Sequence, residues 1–298
     1  MRFYRNGNYV VCIKDDGTKI RRTDGDEFIP RFAENVDVKI TSACRVGCPF
    51  CYEGCTKDGR HGDLFRYPFI YSLHPYTEMA LNGNDLDHPD LEKFLVFLKE
   101  RQVLANVTVH QLQFMANYGQ ISEYIRSGLI HGIGISYNHH DWDFIKKVKT
   151  MPNAVIHTIN GILSPVDIQN LTHHGLKMLI LGYKDLGRGR DFLKSSGAAV
   201  RELQQWLYDI LPKMIDMGWF RLVSFDNLAI EQLNVRRMLT DGEWKEFYMG
   251  DDGKYTFYID MVEGKFAKNS LSQERFEIED KTIDEMFNLI RKENEKAS

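Results

Sequence analysis

Val36-Asp37-Val38-Lys39-Ile40-Thr41-Ser42-Ala43-Cys44-Arg45-Val46-Gly47-Cys48-Pro49-Phe50-Cys51-Tyr52 is the stretch from which the rest of the chain can be read. Its first half alternates apolar and polar residues, the pattern of a strand, and it runs straight into three cysteines spaced x3 and x2. The chain has five cysteines: Cys12 stands alone, and Cys44, Cys48, Cys51 and Cys55 fall together. A disulfide framework would spread its cysteines along the chain, so this cluster reads as metal binding.

Outward from that stretch, strand and helix patterns alternate. Strands are expected at Thr77–Leu81, Asn106–His110, Gly132–Tyr137, Ala154–Ile159 and Lys177–Leu181, with helices between them at Pro89–Arg101, Met115–Ser127, Asp141–Met151 and Ser164–His173. A further helix, Val200–Met217, is expected to be interrupted or kinked at Pro212, and Leu222–Phe225 adds a last strand. A βαβ unit takes roughly 30 residues, so six fit between Val36 and Asp226. The expected fold class is α/β: a partial (β/α)6 TIM-like barrel at 36–232. An N-terminal β-hairpin extension (1–35) precedes it, turning at Asp15-Asp16-Gly17, and a C-terminal β-hairpin and helix cap (233–298) follows. The cap hairpin is expected at Tyr248–Asp260, around Gly250-Asp251-Asp252-Gly253.

Three thiolates on one loop can hold three corners of a [4Fe–4S] cluster and leave one iron open for chemistry, whereas a closed cluster or a structural zinc site takes four protein ligands. With Cys55 as fourth ligand, the same run would make a non-catalytic electron carrier or a zinc protein. Bacterial ferredoxins place proline after the fourth cysteine, and here Thr56 follows. An electron carrier also has no need of so much βα sheet. Cys55 is therefore read as a bystander.

The spacing C-x3-C-x2-C after a parallel strand, with Phe50 just before the third cysteine, resembles the radical S-adenosylmethionine (radical SAM) superfamily. Small radical SAM proteins of phage and bacterial genomes are similar from the cysteine loop through Gly62-Asp63, at Ile180–Asp185 and at Ser224–Glu231. The resemblance implies that Cys44, Cys48 and Cys51 bind one [4Fe–4S] cluster. It further implies that S-adenosylmethionine fills the open position and is cleaved reductively to a 5′-deoxyadenosyl radical, which abstracts hydrogen from substrate. It places Phe50 near the adenine. Asn82-Gly83-Asn84 stands where the family carries a Gly-Gly-Glu motif facing the methionyl amine, and here no carboxylate is present. An asparagine carbonyl accepts from an ammonium more weakly than a carboxylate does. An external electron donor such as flavodoxin or ferredoxin is implied as partner, with a peptide, protein or nucleotide as substrate.

Parallel α/β folds bind ligands at the carboxyl ends of their strands, which nominates Ser136 and Asn160 as further SAM contacts. The same rule draws attention to Lys184 and Arg188, on the glycine-rich stretch after the sixth strand, as catalytic-side cations for a SAM carboxylate or an anionic substrate. Formal net charge is −4, so no footprint for duplex nucleic acid is expected. No apolar run reaches membrane-spanning length and Met1–Tyr9 lacks a signal-peptide core, so the expected location is cytoplasmic.

Overall fold

A computed structural model describes residues 1–82 and 85–297. The chain opens with β1 (Arg2–Asn6), β2 (Tyr9–Ile13) and β3 (Lys19–Thr23), an antiparallel sheet of three strands. The expected hairpin is its β2–β3 half. The Arg-rich strand β1 escapes a hydrophobic-pattern search because two of its five residues are arginine.

The second sheet takes its strands from the rest of the chain. In chain order come β4 (Asn35–Lys39), β5 (Glu78–Asn82), α1 (Leu91–Glu100), β6 (Leu104–His110), α2 (Gln111–Ala116), α3 (Tyr118–Arg126), β7 (Gly132–Ser136), α4 (Trp142–Val148), β8 (Ala154–Ile159), α5 (Pro165–Leu171), β9 (Lys177–Leu181), α6 (Gly187–Asp216), β10 (Leu222–Phe225) and α7 (Asn227–Gln232). The tail holds α8 (Asp241–Phe247), β11 (Thr256–Asp260), β12 (Lys265–Ala267), β13 (Phe276–Glu277) and α9 (Ile283–Ala297). Among the described residues the sheet has ten strands in the order β10-β9-β8-β7-β6-β5-β4-β11-β12-β13. β10 through β4 and on to β11 are parallel, and β12 and β13 run antiparallel.

Strand alternation gives the sheet two different faces. Val36, Val38, Met79, Leu81, Val107, Val109, Ile133, Ile135, Ile156, Met178 and Ile180 are buried in one core with the helices, including Leu91, Phe94, Leu95 and Leu98 of α1. The opposite parity carries Asp37, Lys39, Asn106, Thr108, His110, Ser136 and His157, all half-buried. The two edges do not pair with each other, so the sheet is open. Side chains nevertheless link its ends. Asp252 accepts from Asn227, after β10, at 2.6 Å and from Asn269, after β12, at 2.7 Å. Lys184, after β9, donates to Ser270 at 3.0 Å.

Two expectations are corrected. The tail hairpin does not fold around Gly250–Gly253. A turn closes from Asp251 to Lys254 instead, and the aromatic strand β11 joins the main sheet in parallel beside β4, with Tyr258 opposite Asp37 and Asp260 opposite Lys39. The hairpin that does form is β11–β12. A parallel partner so far along the chain leaves no local turn signal to read. The expected loop after β9 is also shorter than drawn: α6 begins at Gly187, runs 30 residues and carries Pro212 inside it without ending there. Its glycine-rich first turns have poor helix propensity, and tertiary docking overrides that.

The N-terminal sheet is tied to the amino ends of β4 and β5 by charge. Glu34, 1% exposed, accepts from Tyr9 Oη at 2.5 Å and from Arg21 Nε and Nη2 at 2.8 and 3.1 Å. Lys19 bridges Glu34 and Glu78 at 3.5 and 2.5 Å. Removing one partner of a buried pair strands the other charge, at about 3–5 kcal/mol. Glu34→Ala should lower unfolding stability by about that amount in urea denaturation; a loss well below 1 kcal/mol would show that this network does not hold the two sheets together.

Candidate functional site

The cysteine loop leaves the carboxyl end of β4, where Lys39 is the last strand residue. Its base is closed by backbone: Cys44 N–H donates to Thr56 O at 2.7 Å and Thr56 N–H to Ser42 O at 3.1 Å. Within it Cys51 N–H bonds Cys48 O at 3.3 Å and Gly54 N–H bonds Cys51 O at 3.1 Å. Cys44, Cys48 and Cys51 are half-buried and Cys55 is buried.

The thiols influence one another. Burial, then the neighbouring Cys51 and Cys44 sulfurs, pushes the Cys48 thiol up. Cys51 is drawn down, first by a hydrogen bond from the Cys55 thiol, with the Cys55 and Glu53 amides and the Arg188 guanidinium assisting. Cys55 is driven up as the donor in that bond. Among the described residues no group of three or more His, Cys, Asp or Glu side chains stands in a ready-made metal arrangement. The donor set itself fits an iron–sulfur cluster: three thiols on one loop, with Cys48 in the field of both others. Cys55, expected to be a bystander, is buried on the same loop and acts on the acidity of Cys51.

The amino end of α6 docks on this loop. Arg188 N–H donates to Cys51 O at 3.1 Å, Arg188 Nε to Cys48 O at 3.0 Å and Nη1 to Cys55 O at 2.7 Å. Gly187 has φ +51°, and a Cβ there would lie 2.3 Å from Tyr52 O. A Cβ on Gly189 would lie 2.5 Å from Lys184 O and 3.4 Å from Phe50 O. These glycines let helix backbone approach loop backbone. Phe50 sets its ring edge-on to Phe192 of α6, centroids 6.0 Å apart.

Below the loop, the polar face of the sheet is filled with charge. Lys39 bonds Glu53 at 2.6 Å and approaches Asp260 at 3.5 Å, and Asp260 also faces Arg275 at 3.7 Å. The Lys184 ammonium lies 4.0 Å from the centre of the Tyr52 ring. Burial lowers its pKa, against the fields of Asp226, Asp37, Glu53 and Asp252. Lys184 and Arg188, expected as cations for an anionic ligand, both lie at this end of the sheet and both also contact the chain itself. The Lys184 ammonium donates to Ser270 Oγ at 3.0 Å and lies in the field of the chain's own carboxylates, and the Arg188 guanidinium is engaged by two cysteine carbonyls.

The remaining candidates are less gathered. Ser136 is half-buried at the end of β7, on the polar face, opposite His110 and His157. Asn160 is 1% exposed; its Nδ2 donates to Gln232 Oε1 at 3.1 Å, and its Oδ1 is buried without a partner among the described residues. Asn82 ends β5, whereas Gly83 and Asn84 lie outside the described residues. Several contributors carried no sequence signal: Glu53, Asp260, Arg275, and His88, whose buried ring holds Gly62 O at 2.8 Å and so ties the segment after β5 to the far side of the cysteine loop. Only the pairing of β11 with β4 brings Asp260 here. A cavity of about 680 Å³ opens farther along the seam, lined by Asn227, Trp244, Tyr248, Asp252, Asn269 and Arg291 among others.

Asp37 faces this interior, and burial raises its carboxyl to about 6, against an opposing bond from Asn35 and the charge of Lys184. A carboxyl raised on folding favours the folded state while protonated. That contribution is present at low pH and is lost as pH rises through about 6. Asp37→Asn should therefore match wild type near pH 4 and exceed it near pH 8, by up to about 3 kcal/mol. Denaturation midpoints at the two pH values measure this, and a difference that does not change with pH would count against it.

No family model matches this chain, and no curated protein does. Among solved structures it is similar to SuiB of Streptococcus suis, crystallised bound to S-adenosylmethionine: TM-score 0.57 and 13% identity, covering 88% of this chain and 68% of that one. At that identity the likeness shows the fold, a mixed α/β architecture on a large, mostly parallel sheet.

Proposed function

We propose that this chain is a radical SAM enzyme that cleaves S-adenosylmethionine reductively and abstracts hydrogen from a peptide, protein or nucleotide substrate. The observation that carries the reading is the three-cysteine loop at the carboxyl end of β4, next to the charged interior face of an open parallel sheet. The fold shared with SuiB, whose structure holds S-adenosylmethionine, supports it. Cys44, Cys48 and Cys51 are the residues to hold a [4Fe–4S] cluster, which when bound supplies the electron for cleavage. A flavodoxin or ferredoxin type of donor would deliver that electron.

The chain's own residues provide the setting. Arg188 and the α6 amino end hold the loop backbone. Lys39, Glu53 and Asp260 form a paired wall beside it. Ser136 and the unpartnered Asn160 Oδ1 are polar groups toward the ends of neighbouring strands, and Asn82-Gly83-Asn84 is the segment assigned to the methionyl amine.

A second reading rests on one observation, the buried thiol of Cys55 on the same loop as the other three. It would make a closed four-cysteine electron carrier or zinc protein. Metal analysis separates the two. Anaerobically reconstituted protein should hold about four irons and four sulfides. Cys44→Ala, Cys48→Ala and Cys51→Ala should each lose the cluster, and Cys55→Ala should keep it. Equal loss with Cys55→Ala favours the closed site.

Under strong reductant the loaded protein should turn S-adenosylmethionine into 5′-deoxyadenosine and methionine, detected by chromatography. A fully loaded protein whose electron paramagnetic resonance ignores S-adenosylmethionine, and which releases no 5′-deoxyadenosine, would overturn the enzyme reading.

A further inference from the structure

We infer that Arg188 is a positioning residue that holds the cysteine loop in shape for its cluster; this rests on the reading that Cys44, Cys48 and Cys51 bind one. Three bonds carry the inference. The Arg188 amide reaches Cys51 O, and two donors of its guanidinium reach Cys48 O and Cys55 O. One residue thus engages the carbonyls of three of the four clustered cysteines, two of which are assigned as ligands.

The direction of a cysteine Sγ follows from the backbone at its Cα. Three thiols serve one cluster only if three backbones are held together. A loop carries no regular ladder to do this; backbone bonds between Cys44, Thr56 and Ser42 close its base, and the short Cys51–Cys48 and Gly54–Cys51 turn bonds lie nearer its tip. Arg188 adds bonds from outside, delivered by a 30-residue helix that is anchored in the core through Leu207, Leu211 and Met214. The residue type matters. A guanidinium presents several donors in a fixed plane and keeps its charge at any working pH, whereas an ammonium is a point donor on a flexible stem. The glycines on either side matter equally, because Gly187 and Gly189 allow the close approach that brings the Arg188 amide within reach of Cys51 O.

The test uses Arg188→Ala and the conservative Arg188→Lys, with Lys194→Ala as a control on an exposed part of the same helix. In the metal-free protein, the rate of thiol labelling by a maleimide reports how well the loop is held. Arg188→Ala should label Cys48 and Cys51 on the order of ten- to a hundredfold faster, the loss of one or two charge-assisted bonds. Arg188→Lys should fall between, and Lys194→Ala should match wild type. After anaerobic reconstitution, Arg188→Ala should hold less iron and sulfide per chain, and its reduced cluster should give an altered paramagnetic resonance. A general loss of stability would not produce that spectral change in the fraction that loads. Arg188→Lys guards against a variant that fails to fold. Arg188→Ala and Arg188→Lys both indistinguishable from wild type in labelling, iron content and spectrum would overturn the inference. Wild-type protein that takes up no cluster would overturn the functional reading, while the labelling rates would still decide whether Arg188 holds the loop.

Discussion

The cysteine loop, the centre of the candidate site, is held by its contact with the amino end of α6. The loop leaves β4 and must return to the sheet without a ladder of its own, so its carbonyls need donors from elsewhere. The Arg188 amide and guanidinium supply three, and Gly187 and Gly189 remove the side chains that would keep the two backbones apart. The same docking fixes the segment between β9 and α6, and with it Lys184. The ammonium of Lys184 over Tyr52 then helps balance Asp37, Asp226, Glu53 and Asp252.

That interior exists because of strand parity. Helices cover one face of the sheet with aliphatic contacts, and alternation turns the polar residues of the same strands to the other face. Buried charge is tolerated only when paired, and here the pairs cross between strands: Lys39 of β4 with Asp260 of β11 and with Glu53 of the loop. The N-terminal sheet does the same at the opposite end, where Glu34 is enclosed by Tyr9, Arg21 and Lys19. The sheet thus has an occupied amino end and a carboxyl end that carries the cysteine loop.

Much of this was legible in the residues because it is local. The parallel strands from β4 to β9 show as short apolar runs or alternations, and their helices show as apolar stripes with caps, such as Ser164 with Asp167 at α5. The three-cysteine spacing marks the loop by itself. The α6 start was hidden because Gly187 and Gly189 lower helix propensity, and their purpose appears only against the loop backbone. The reading of Lys184 and Arg188 as cations for an outside anion followed from their place at a strand end. The contacts that both also make within the chain, to Ser270 and to the cysteine carbonyls, carry no mark in the sequence.

The sequence by itself therefore determined the parallel α/β plan, the order of its strands from β4 to β10, and the thiols at the end of β4. These follow from period, turn chemistry and spacing, which act over a few residues. Tertiary structure decided that β11 pairs with β4, that Asp260 reaches Lys39, and that Arg188 serves the cysteine loop. Each of these is a pairing between groups whose partners are selected by how the sheet and its loops pack, and a hydrogen bond or ion pair carries no mark in the sequence of the partner it will find.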